Sequence, residues 1–596
     1  MNYLNRLISS LTLLGMVSLS GCALNKMVKM AQDQELTVTP SPLEVHADTV
    51  RFTTSAKLPL KMLKKNKTYT ADVKYNYGGE SVDAGNIVFN WADYPNAKTE
   101  NPSKSETFSF PYQDAMRRGD LVVIGTAASA NGKSKSTPEF KIADGVITTS
   151  KLVQPYYFYA YADHEYNTGE ELEPTYVQFF FQQGSSYLRP TEVRSSRGRF
   201  LNAFIADKNV TRSVTITGTH SPEGAERINA RLADDRAEAI EKYYRRQMGR
   251  YDYQGMADSI EFLPKAVVEN WDSLKAELGR DERLTQTQKD EILSIINGSG
   301  SFEDKEDALH RLSSYRYLLS TVYPKTRTAT TEILTVKEKK SLPEISALSK
   351  GITQGSVSMD TLSDAELAFS ATLTPLLEEK EAIYQAAIKK NDRWQAHNDL
   401  ATVYLQMAAE QTSESSMSNY LEQANTQLGI AKNRQESPEV YANMATLNMM
   451  QGDYDMGMQN LQKAMNMNPD EELRQGLNGM MGTLQIMRGM YSEAARSLSS
   501  APDTAMVLYN RGLAQLLSDD FNNARASFDE AIQSDSELAL AYYGSAIVAA
   551  QQGNEQAMAD MLRQAIQKDA SLRAYAIDDL EFQKYFDSQT FKDAVQ

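Results

Sequence analysis

A single cysteine, Cys22, occurs in 596 residues, so no disulfide can close within the chain and stability has to come from packing. Histidine is nearly as scarce. His46, His164, His220, His310 and His397 are spread over four expected modules, which gives no metal-binding set. Asp163-His164-Glu165 comes nearest, but neighbours on a strand point to opposite faces. No apolar run after residue 21 is long enough to span a bilayer as a helix. Positive charge is in the minority, with 62 Lys and Arg against 78 Asp and Glu and a net charge of -16. That is the wrong sign for neutralising phosphates, so nucleic acid is not an expected partner. Gly298-Ser299-Gly300 lacks the lysine of a phosphate loop, and His220-Ser221 are neighbours in a turn, where hydrogen-bond geometry for a nucleophile is rare. No catalytic, metal or cofactor constellation emerges, and an enzyme is not expected.

What is present begins with an apolar run, Leu7 to Leu19, behind Arg6 and followed by the tetrad Leu19-Ser20-Gly21-Cys22. The run is too short for a spanning helix and has the flanks of a processed export signal. The tetrad resembles the lipobox of bacterial lipoproteins. That resemblance implies a signal peptide over 1–21, an acylated N-terminus and tether over 22–33, and a covalent lipid on Cys22. Each buried methylene contributes about 0.8 kcal/mol, so several acyl chains would hold the protein on a membrane durably. The residue after the cysteine is Ala23 rather than the aspartate of inner-membrane retention, which by the same resemblance implies the outer membrane. Ala23 to Lys29 lacks the acidic cluster of surface-exported Bacteroidota lipoproteins, so the periplasmic face is expected.

Residues 34–152 alternate polar and apolar positions in short runs between Gly, Pro, Asn and Lys, as in Thr68–Tyr75, Asn86–Phe89 and Leu121–Thr126. This pattern predicts an antiparallel, immunoglobulin-like β-sandwich. Residues 153–173 form an aromatic connector, Tyr156-Tyr157-Phe158-Tyr159-Ala160-Tyr161, expected to pack between domains rather than to bind a ligand.

Over 174–337 the order is strand, helix, strand, helix, strand. It carries the turn Gly218-Thr219-His220-Ser221-Pro222-Glu223-Gly224, then Asn229, Leu232, Arg236 and Ala237. This resembles the OmpA-like peptidoglycan-associating domain, with a helical insertion at about 263–325 before a closing strand, Thr328 to Val336. In that family an aspartate and an arginine clamp the diaminopimelate of the peptide stem. Here Arg236 is in place but Ser221 stands where the aspartate would be, so Ser221, Asn229 and Arg236 are expected to make at most a weakened stem contact. A serine brings no charge, and the missing carboxylate–ammonium pair would contribute about 1.5 to 3 kcal/mol. The domain reads as a scaffold repurposed for protein contacts, with a working peptidoglycan clip as the alternative.

A linker is expected over 338–363, and helices from 364 to 596. Small, large and small residues recur there: Ala424, Leu428, Ala431; Gly457, Leu461, Ala464; Ala494, Leu498, Ala501; Ala524, Phe528, Ala531; Met558, Leu562, Ala565. The last members lie 33, 37, 30 and 34 residues apart. This resembles tetratricopeptide repeats, which implies an all-α solenoid with repeat packing at Ala464, Ala501, Ala531 and Ala565. Methionines between Met444 and Met490 read either as core filler or as an adaptable groove. The combination is similar to Bacteroidota outer-membrane lipoproteins. The expected function is a non-catalytic periplasmic scaffold that binds other envelope proteins of a secretion or assembly machine. The alternative is a tether between outer membrane and peptidoglycan.

Overall fold

The computed structural model describes residues 22–223, 225–251, 253, 255–267 and 270–596. The expected signal segment lies outside the described residues. The chain forms two compact units: one built from the N-terminal part through His164 together with Ser349–Gln596, the other from Glu165–Leu348.

The first unit opens with a helix over residues 22–30 and a 3-10 turn, Ala31–Asp33. Leu24, Met27 and Ala31, spaced i, i+3, i+7, form an apolar stripe that is buried in the core of the sandwich, while Cys22 is exposed. The expected tether over 22–33 is therefore a packed helix, and Cys22 sits directly on the domain.

The sandwich follows as β1 (Glu35–Thr39), β2 (Leu43–His46), β3 (Thr49–Lys57), β4 (Lys67–Tyr77), β5 (Glu80–Asn90), β6 (Ser103–Pro111), β7 (Asp120–Ser129), β8 (Ser134–Asp144) and β9 (Val146–Ile147). One sheet runs β1-β3-β2-β9 with β6 also on β3, and the other β5-β4-β7-β8. Alternation places Tyr69, Ala71, Val73 and Tyr75 of β4 in the core, where Tyr75 stacks on Phe110 of the opposite sheet at 5.2 Å. The β2–β9 pair is parallel, a departure from the wholly antiparallel pattern expected. The β2–β3 hairpin turns on Ala47 and Asp48, both in the left-handed region, as a two-residue turn requires.

The helical region stacks antiparallel pairs: Trp394–Ala409 with Glu414–Arg434, Pro438–Met450 with Tyr454–Asn466, Glu471–Met487 with Tyr491–Leu498, Ala505–Leu516 with Phe521–Ser534, and Ala539–Gln551 with Glu555–Lys568. Ala464, Ala531 and Ala565 are buried on the second helices, whereas Ala501, just past the short helix Tyr491–Leu498, is only half-buried. Met449 and Met480 lie in the core, and Met444, Met458, Met465, Met481 and Met487 pack partly buried against it, so most of this methionine cluster is filler. The expected linker 338–363 contains the helix Leu342–Thr353, on which Ile345 and Ile352, seven residues apart and so on one face, are both buried.

Sandwich and array pack together in this unit. Thr148 Oγ1 and the Tyr575 hydroxyl are 2.6 Å apart, Thr149 donates to Glu581 at 2.5 Å, and Arg117 lies 3.5 Å over the Tyr575 ring. His46 Nδ1 is 2.6 Å from the Tyr491 hydroxyl.

The second unit is a four-stranded sheet, β10 (Leu172–Phe180), β11 (Thr211–Gly218), β12 (Glu261–Ala266) and β13 (Thr328–Val336), in the order β10-β13-β11-β12. β11 and β12 are parallel, and β13 is antiparallel to both β10 and β11. Helices Ser196–Ala206 and Glu226–Met248 connect the first three strands. Trp271–Arg280, Gln286–Asn297 and Phe302–His310 then precede β13, so the helical insertion starts after β12 rather than within it at 263.

Candidate functional site

The first helices of the pairs carry a row of polar side chains that are fully or almost fully buried: Asn398, Asp399 and Thr402, then Asn443 and Thr446, then Thr483, then Asn510. Buried amides and hydroxyls need partners; Thr483 donates to the Gly479 carbonyl of its own helix and accepts from Asn510, and the others find partners on residues 152–162 of the same chain. Leu152 ends the 3-10 turn Thr149–Leu152, and from Val153 on the segment forms no helix or strand and runs along the array.

At one end the Tyr509 hydroxyl donates to the Leu152 carbonyl at 2.9 Å. Asn510 accepts from the Gln154 N–H at 3.1 Å and donates to its carbonyl at 2.7 Å. Thr446 donates to the Phe158 carbonyl at 2.8 Å. Asn443 repeats the two-way contact on Ala160, accepting from the N–H at 3.0 Å and donating to the carbonyl at 2.7 Å, and Asn398 adds a second donor at 2.8 Å. The Ala162 N–H reaches Asp399 Oδ1 at 2.7 Å. Burial pushes the Asp399 carboxyl up to about 7.

Residues two apart in an extended chain share a face, and Tyr156, Phe158, Ala160 and Ala162 are such a set. The two rings lie against Gly476 and Gly479 of helix Glu471–Met487. A Cβ on Gly476 would fall 2.3 Å from Phe158 Cδ2, and one on Gly479 2.5 Å from Tyr156 Cε1. Glycine costs about 1 kcal/mol in a helix interior, and here it makes room for an aromatic ring. Tyr161, on the other face, stacks on Tyr384 at 6.2 Å and donates to Gln406 at 2.7 Å. The aromatic part of the connector, residues 153–162, thus packs within the first unit, along the array.

The residues singled out in the second unit have a different fate. Ser221, Asn229 and Arg236 are 3%, 5% and 1% exposed. Arg236 donates to the carbonyls of Ser185, Thr219 and Gln182 at 3.0, 2.6 and 3.0 Å, and burial with the nearby Arg327 guanidinium pulls it down to about 10. Ser221 Oγ accepts from Arg327 Nε at 2.9 Å, and Arg327 also pairs with Glu223 at 2.7 Å. The insertion covers this turn: Phe302 packs on His220 at 5.6 Å, Trp271 on Phe302 at 5.1 Å, and Asn270 donates to the His220 carbonyl at 3.1 Å. Ser221 and Arg236, the two positions expected to face a stem peptide, are thus engaged within the protein, with Arg327, immediately before β13, beside the serine.

Among the described residues no group of three or more His, Cys, Asp or Glu is arranged to hold a metal ion, and no helix is long and apolar enough to cross a membrane. No family model matches the chain, and no curated protein matches it. Several solved structures are similar. YrrB, a TPR protein with an unusual peptide-binding site, is 19% identical, with 34% of this chain and 97% of that one covered and a TM-score of 0.27. PilW, a type IV pilus biogenesis factor, is 14% identical over 33% of this chain and 90% of its own, at 0.28. Pseudomonas aeruginosa pilF is 15% identical over 40% and 98%, at 0.31. At these TM-scores the likeness carries no functional weight, and the side chains of this chain have to supply it.

Proposed function

We propose that this protein is a non-catalytic scaffold whose tetratricopeptide-type array binds protein partners, held by a lipid on Cys22 at the periplasmic face of the outer membrane, in an envelope secretion or assembly machine. The observation that carries this reading is the row of buried Asn and Thr side chains along the array, which holds an extended main chain through N–H and C=O groups. That is recognition chemistry without a reacting group. The exposed Cys22, on a helix packed into the sandwich, supports the anchor reading: an acyl chain there would hold the domain close against the bilayer with no spacer.

A cell-wall tether is the second reading. The strand order β10-β13-β11-β12 supports an OmpA-like scaffold, and the burial of Ser221, Asn229 and Arg236 under the insertion favours protein contacts over stem-peptide binding.

Two substitutions test the proposal. Cys22→Ser removes the thiol that would carry the lipid, and fractionation should move the protein out of the outer membrane; unchanged fractionation and lipid labelling would overturn the anchor. Ala531→Tyr overfills a fully buried position on helix Phe521–Ser534, at a cost of about 1 to 3 kcal/mol. Partners should be lost with both β-rich regions still folded, and full retention would overturn the assignment to the array.

A further inference from the structure

The hydrogen bonds that hold residues 152–162 to the array recognise shape more than sequence. Among those described above, only the Tyr161 hydroxyl on Gln406 involves a side chain of the segment; the rest go to its main chain. Sequence is read where Gly476 and Gly479 admit two rings, where Ala160 and Ala162 fit under Asn398, Asn443 and Asp399, and where Tyr161 meets Tyr384 and Gln406. The segment is also unevenly held. Its ends, at Gln154 and at Ala160–Ala162, are fixed by paired bonds, whereas between them Pro155 is exposed and Phe158 C=O takes a bond from Thr446. Between the ends the hold comes from the Tyr156 and Phe158 rings rather than from the main chain. A groove meant only to be filled could have been lined with apolar side chains, since buried amides add little net stability even when fully paired.

We propose that this groove is a binding site for an extended peptide of a partner protein, with aromatic residues at two positions separated by one residue and small residues at the next two positions on the same face. Residues 152–162 are its tethered competitor. This rests on the scaffold reading and names the ligand class for the array. The partner's peptide replaces the segment by making the same contacts with Asn443, Asn510 and the two glycines, and the tether sets the threshold it has to exceed.

The test uses the full chain and a fluorescent peptide with the sequence of residues 152–163, read by anisotropy. A tethered occupant acts at an effective concentration on the order of 1 mM, so for a peptide of ~10 μM intrinsic affinity the wild-type chain should bind on the order of 100-fold more weakly than a chain with its segment released. Tyr156→Ser with Phe158→Ser releases the segment and leaves the groove intact. Tighter binding by that variant, abolished when Gly476→Ala is added and absent with a scrambled peptide, is the expected result. Equal binding by both chains, or none by the folded variant, would overturn the proposal. Should the double variant fail to fold, wild-type protein with 1 mM peptide decides: amide exchange at Ala160 and Ala162 should accelerate, and unchanged protection would overturn it. Partners that still co-purify with the array in an Ala531-dependent manner would then leave the scaffold reading standing while this proposal falls.

Discussion

Replacing Asn443 by alanine separates the groove from the rest of the fold. Asn443 is fully buried on helix Pro438–Met450 and bridges both polar groups of Ala160 while donating to Asn398 at 3.0 Å and Thr402 at 2.9 Å. After Asn443→Ala the Ala160 carbonyl keeps Asn398 as a donor at 2.8 Å, but the Ala160 N–H loses its acceptor at 3.0 Å. Leaving one buried donor unpaired costs about 1 to 3 kcal/mol. That cost falls on the bound segment, because the helix itself gains propensity from alanine. Local opening should therefore become favourable by about 2 kcal/mol, or roughly 30-fold in the opening equilibrium. Native-state amide exchange resolved at Ala160 and Ala162 reads this directly, with the amides of helix Ala539–Gln551 as an internal control. Protection at Ala160 and Ala162 should drop by that factor while the control changes little. Unchanged protection at Ala160 would refute the claim that Asn443 holds the segment.

Burial pushes Asp399 and Glu581 up to about 7, so the folded chain keeps protons that the unfolded chain has released by about pH 4. Their contribution to stability is complete at acid pH and is lost as pH rises through 7, on the order of 1 kcal/mol per group between pH 6 and 8; denaturant melts should show greater stability at pH 6, and Asp399→Asn with Glu581→Gln should flatten the difference, whereas an unflattened profile would place the pH dependence elsewhere. Ser221→Asp should not create a peptidoglycan clip, because the new carboxylate would meet Arg327, already paired with Glu223, and Arg236 is committed to three carbonyls; co-sedimentation with isolated sacculi should be unchanged, and strong binding that Arg236→Ala removes would restore the tether reading.

The elements with local periodicity were legible in the sequence. The closing strand from Thr328 to Val336 has the bounds expected of it, and the small-large-small triplets fall on the second helix of each pair, save Ala501, which lies just past the helix Tyr491–Leu498. What was missed lies in contacts far apart along the chain. Leu24, Met27 and Ala31 have helical spacing, but nothing local says that the stripe closes a sandwich. Asn398, Asn443 and Asn510 read as ordinary helix residues until one asks why an amide recurs on the face that should be buried. That question, put beside an aromatic run at Tyr156 to Tyr161 with no structure of its own, was the available signal for the groove. Arg327 carries no local signal, since its place beside Ser221 depends on a sheet order that brings β13 next to β11.

The most direct measurement of the scaffold claim is cross-linking of intact cells followed by peptide mapping. The array offers Lys380, Lys432, Lys463 and Lys568 as amine targets, and the Glu165–Leu348 unit offers Lys242, Lys275 and Lys337. The account predicts that links to other proteins concentrate on the array and disappear in Ala531→Tyr cells at equal protein levels. Links confined to the Glu165–Leu348 unit, and unaffected by Ala531→Tyr, would contradict it.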